Sequence, residues 1–125
     1  MEVTFEDNGS PLKKSKNRHE ETSGEQLRRM CKEIADSITY PVDNSEHGEQ
    51  ASAASWMEDV YDIRYIVDRE KRYMAAELMV AGGGPNIWVN LDTMEVEGYW
   101  GRDRVTVPFR DSLGLDDYCE EMYGC

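Results

Sequence analysis

The chain has 125 residues, 26 Asp and Glu against 14 Lys and Arg, a net charge of −12 and a sequence pI near 4.5. That length allows one domain with a modest core. The charge excludes a general nucleic-acid binder and disfavours anionic membrane surfaces, because both need cations against phosphate.

Residues 1 to 22 read as a disordered arm and residues 23 to 125 as a single domain. The arm has a breaker cluster, Asn8-Gly9-Ser10-Pro11, then Lys13, Lys14, Lys16 and Arg18. Its apolar residues are too few to offset the entropy of ordering. It holds five acids and four bases, so the remaining 21 acids and 10 bases put the acidity in the folded part.

A first helix is expected from Ser23, which has capping-box spacing to Gln26. Leu27, Met30, Cys31, Ile34 and Ile38 recur at three- and four-residue steps and form one buried stripe. Tyr40-Pro41 ends it, because the residue before proline avoids the helical region. Between 42 and 58, Asp43, Glu46 and Glu49 add charge, and Ala51 to Ser55 fit either a short helix running toward Trp56 and Met57, the favoured reading, or a loop that pins Trp56 to the sheet.

From Asp59 to Phe109 the pattern changes to period two, the mark of strands. Tyr61, Ile63, Tyr65 and Val67 share one face. Met74, Ala76, Leu78 and Val80 share a face of the next strand, which is apolar on both sides near its end and so expected to be central and covered twice. Gly82-Gly83-Gly84-Pro85 breaks it. Ile87, Val89 and Leu91 follow, with Trp88 and Asn90 opposite. Val96 and Trp100 take one face of a further strand; Glu95, Glu97 and Tyr99 take the other. Val105, Val107 and Phe109 form a last strand, which Pro108 restricts to an edge or ends.

A final helix carries Leu115, Tyr118, Cys119 and Met122 on one stripe and Asp116, Asp117, Glu120 and Glu121 on the outer face. Ser112 or Asp116 is the expected start cap and Gly124 the end cap. Strands grouped between terminal helices predict an α+β fold: an antiparallel sheet of about four to five strands, both helices on one face, and Tyr61 and Trp88 partly wet.

Catalytic chemistry finds little support in these residues. The glycine run lacks the lysine, the Ser or Thr and the helix of a phosphate loop, and reads as a bulged or flexible connector. His19 and His47 have no partner at ligand spacing, and Cys31, Cys119 and Cys125 match no zinc pattern. No metal, no cofactor and no enzyme activity is expected. The odd cysteine count and the lack of an apolar leader or membrane run point to a reducing cytoplasm.

Aromatics beside acids remain. Glu95, Glu97, Tyr99 and Trp100 on one strand, and Asp116, Asp117, Glu120 and Glu121 beside Tyr118 and Tyr123 on the last helix, join apolar anchors to negative charge. That pairing suits a basic, nucleic-acid-binding groove on another protein.

Gly83-Gly84-Pro85-Asn86-Ile87-Trp88-Val89, Glu95-Val96-Glu97-Gly98-Tyr99-Trp100 and the ending Leu115 to Tyr123 resemble a group of small acidic proteins encoded by phages, plasmids and other mobile elements of Gram-positive bacteria. The resemblance covers roughly residues 59 to 125 and supplies no catalytic residues. It implies an accessory protein that disarms host defences, such as an anti-CRISPR protein, acting on a CRISPR effector by acidic DNA mimicry. The expected function is therefore a non-enzymatic inhibitor that binds a basic protein surface, not nucleic acid or membrane. Two alternatives stay open: a nucleotide-like small molecule held at the glycine connector and nearby tryptophans, and an oligomeric accessory protein assembled through a sheet edge.

Overall fold

The computed structural model describes residues 21–42 and 51–125. The expected arm, apart from Glu21 and Thr22, and the acidic stretch 43 to 50 lie outside the described residues.

Helix α1 spans Ser23–Thr39. Its cap is Thr22, one residue before the expected Ser23. Thr22 Oγ1 accepts from the Glu25 N–H at 3.1 Å, and Glu25 Oε1 accepts from the Thr22 N–H at 2.9 Å. Ser23 is otherwise engaged: its hydroxyl donates to Asp103 Oδ2 at 2.6 Å. Leu27, Cys31, Ala35 and Ile38 are buried, and Met30 and Ile34 border them. A short helix α2, Ala53–Met57, begins at Ser52. Trp56 Nε1 donates to Ser37 Oγ at 3.0 Å and ties α2 to α1.

Five strands follow: β1 (Asp62–Val67), β2 (Tyr73–Ala81), β3 (Asn86–Asn90), β4 (Glu95–Trp100) and β5 (Asp103–Pro108). They form one antiparallel sheet in the order β1-β2-β3-β4-β5, each strand paired with its chain neighbour. Helix α3, Leu115–Tyr123, closes the chain. The fold is α+β, with a five-stranded antiparallel sheet and a helix from each end of the domain.

Ile63, Leu78, Val89, Val96 and Val107 lie opposite one another across all five strands and so share one face. Both long helices cover that face. Gly98, two residues from Val96, lies against Leu27 and Cys31 of α1. Tyr65, two residues from Ile63, packs against Tyr123 of α3. The core gathers there, with Leu27, Ile38, Leu78, Ile87, Val89, Val96 and Leu115 fully buried.

Two register shifts correct the simple alternation. A bulge near Ile66/Val67 pairs Val67 with Tyr73 and skips Met74. Tyr73 therefore joins the helix-covered side, and Met74, expected inside, is 58% exposed. A second shift falls between Met79 and Ala81, just before the glycine connector, where Gly83 has φ +87°. The strand β2 is interior, as expected. Its second face, expected to be covered, has no helix over it among the described residues. The edge assignment of the last strand holds: β5 borders the sheet and ends at Pro108.

Candidate functional site

The eight residues singled out as a partner-binding set fall on two separate surfaces. Glu95, Glu97 and Tyr99 lie on the open face of β4, away from both helices. Trp100 alternates to the helix side and packs partly buried against the core. Asp116, Asp117, Glu120 and Glu121 belong to α3, across the sheet from the three β4 side chains.

The open face has a polar centre that sequence reasoning missed. Glu77, Asn90 and Glu95 are in register across β2, β3 and β4. Asn90 is 7% exposed and fully engaged. Its Nδ2 donates to Glu97 Oε2 at 3.2 Å and more weakly to Glu77 Oε2 at 3.5 Å. Its Oδ1 accepts from the N–H groups of Asp92 at 2.8 Å and Thr93 at 3.2 Å. Asn90 thus shapes the β3–β4 turn and pins two carboxylates on the sheet. The aromatic rings of this face already carry cations: Arg64 sits over Trp88 at 4.5 Å and Arg104 over Tyr99 at 5.7 Å. The signals were present in the strand alternation, but the pairing of Glu77 with Asn90 needed the register.

Helix α3 is built differently. It has no side-chain cap of its own, because Gly114 enters it with φ +77°. Asp111, upstream, takes the role expected of Ser112 or Asp116: its carboxylate accepts from the N–H groups of Leu115 at 2.7 Å and Asp116 at 3.0 Å. Ser112 instead donates to the Thr39 carbonyl at 3.0 Å. Asp116 accepts from the Tyr73 hydroxyl at 2.6 Å in a part-buried position, so it joins the helix to the sheet. Burial, reinforced by that hydrogen bond, holds the Tyr73 hydroxyl far above the usual tyrosine range. Asp117, Glu120 and Glu121 are exposed, and none makes a salt bridge among the described residues. The helix contains no base. Glu120 and Glu121 stand in its last turns, where a negative charge opposes the helix dipole.

Among the described residues no group of three or more His, Cys, Asp or Glu is placed to hold a metal ion, and no helix is long and apolar enough to cross a membrane. His19 and His47 lie outside the described residues. Cys31 and Cys119 are buried, and burial raises both thiols, Cys119 to about 11. The three tryptophans do not gather at the glycine connector: Trp88 faces the open side, while Trp56 and Trp100 pack toward the core. No protein-family model, curated protein or solved structure matches the chain.

Proposed function

We propose that this is a non-catalytic binding protein that presents the carboxylates of α3 to a basic, nucleic-acid-binding surface of another protein and inhibits it by occupying that surface. The observation that carries the reading is the exposed trio Asp117, Glu120 and Glu121 on a helix without a base. Two of these acids weaken the helix that bears them, so local stability does not account for them. Tyr118, half-buried beside them, adds an aromatic neighbour of the kind that anchors interfaces. The resemblance to proteins of mobile elements names the target class, a defence nuclease such as a CRISPR effector in a bacterial cytoplasm.

The test is capture from a bacterial lysate on immobilised protein, with and without competing duplex DNA. A charge-dominated contact releases its partner at high salt, and DNA displaces it from the same groove. The triple substitution Asp117→Lys, Glu120→Lys, Glu121→Lys is expected to lower retention by about tenfold or more while leaving the far-UV spectrum unchanged. Asp116 is left intact because it holds Tyr73. Retention that ignores salt, DNA and the triple substitution overturns the reading. Loss of retention on Glu95→Lys with Glu97→Lys alone moves the contact to the open face of the sheet.

A further inference from the structure

Most cations of the described residues gather along the free border of β5, among acids that pair with some of them: Arg29 with Glu21 and Glu33, and Lys32 with Asp36. Of the ten Lys and Arg among the described residues, six flank it: Arg28, Arg29 and Lys32 on α1, and Arg102, Arg104 and Arg110 on or beside β5. The other four belong to the β1–β2 hairpin. Between α1 and β5 runs a groove with two adjoining lobes, of about 550 and 440 Å³, that share Lys32, Val107 and Pro108. Glu25, Arg28, Arg29 and Lys32 line the larger lobe from one flank of the helix, spaced as neighbours on successive turns.

The backbone of this border is also open. The Phe109 N–H donates to the Met94 carbonyl at 3.1 Å, which places Phe109 in the row bonded to β4. Antiparallel pairing alternates, so Asp103, Val105 and Val107 belong to that row too. Arg104 and Thr106 therefore turn their N–H and C=O groups outward, and both residues are exposed. Pro108 adds an outward carbonyl but no N–H, so an added strand finds no donor beyond Thr106.

We propose that this border accepts an extended acidic segment of a partner protein as a sixth strand beside β5. Its backbone would pair with Arg104 and Thr106, and alternate side chains would point up to α1, where carboxylates meet Arg28 and share Lys32 with Asp36, which already holds that ammonium at 2.8 Å. Peptide fits better than nucleic acid, because the outward carbonyls need N–H donors that a phosphate chain does not supply. It also fits better than a second copy, because pairing β5 with itself sets the same bases against each other.

The experiment is an amide NMR titration of the whole chain with an acetylated nonapeptide of alternating Glu and Thr, at low salt. Saturable shifts and slowed hydrogen exchange at the Arg104 and Thr106 amides are expected, and a Lys–Thr nonapeptide should produce neither. The double substitution R28E/K32E is expected to weaken binding about tenfold, as the loss of two exposed charge pairs and their replacement by repulsion requires. Thr106→Pro removes the outward donor and should abolish protection. Should that variant misfold, R28E/K32E alone decides. Shifts centred on other residues, no saturable shift at all, or equal response to the Lys–Thr peptide overturn the proposal. So does a single-stranded oligonucleotide that binds the border more tightly, or protection of the same amides by self-association without peptide.

Discussion

Helices α1 and α3 rest on the same face of one sheet, but different forces hold them. The seventeen-residue α1 has its own capping box and buries four side chains along one stripe. Its contact with the sheet is close: a Cβ on Gly98 would stand 2.5 Å from Cys31 Sγ and 2.9 Å from Leu27 Cδ1. The nine-residue α3 buries only Leu115 and Cys119. A helix that short is marginal by itself. It is fastened by hydrogen bonds at both ends: Asp111 at its start, Tyr73 to Asp116 in its first turn, and the Tyr123 hydroxyl to the Lys71 carbonyl at 2.6 Å near its end. Its last residue, Tyr123, packs on Tyr65 and Tyr73 of the sheet, with ring centroids 5.0 to 6.3 Å apart within the trio. Where buried apolar area is short, directed polar contacts supply the fixing, each worth about 1 kcal/mol net.

The contrast can be broken from either side. The largest effect is expected at the α1 seat. Gly98→Ala forces a methyl group into occupied space and should cost about 2–3 kcal/mol, read as a melting temperature roughly 10 °C lower. Pairing it with Cys31→Ala should recover part of the loss; a melting curve indifferent to Gly98→Ala would show that the close approach is not what seats the helix. Next comes Asp111→Ala. It removes the acceptor for two helix amides and should destabilise by about 1–2 kcal/mol, as loss of a cap does. Denaturant unfolding measures it, and Ser112→Ala, which leaves those amides paired, should cost less.

The smallest effect sharpens the comparison through pH. Tyr73 ionises higher in the fold than in the unfolded chain, whose tyrosines titrate near pH 10. The folded state thus holds a proton that the unfolded state loses, so this part of the stability is full below about pH 10 and falls as pH rises further. Cys119, raised to about 11 from 9.0, adds a loss that sets in slightly earlier. Tyr73→Phe should cost about 1 kcal/mol at pH 7 and flatten the alkaline decline above pH 10, leaving the Cys119 portion in place. Parallel melting-temperature profiles for the two proteins between pH 8 and 11 would remove Tyr73 from the account.

Periodicity made much of the fold legible. The stripe through Leu27, Cys31 and Ile38, the alternation through Ile87 and Val89, and the proline at 108 each have one dominant structural meaning. The misplacements have physical causes. A single extra residue at the Met74 bulge turns a strand over, and no composition marks it. Thr22–Glu25 and Ser23–Gln26 are both capping boxes on paper, and Asp103, eighty residues away, decides between them by engaging Ser23. Asp111 was hidden because the helix it caps starts four residues later. The candidate surface was half legible: the acids of α3 and of β4 could be read, but not that the sheet separates them. Nor could it be read that Tyr73 withdraws Asp116 from the acidic surface or that Asn90 gathers Glu77 and Glu97.

The strand order has a consequence for synthesis. Each strand pairs with the one made just before it, so the sheet can grow hairpin by hairpin as the chain emerges. Helix α1 is made first, yet its seat is Gly98 and the strands β4 and β5, some seventy residues later. Leu27, Cys31 and Ile38 must therefore wait, with their apolar stripe uncovered, until most of the sheet has left the ribosome. During that interval the uncovered stripe is the part of the chain most open to aggregation, and that exposure ends once β4 and β5 give α1 its seat.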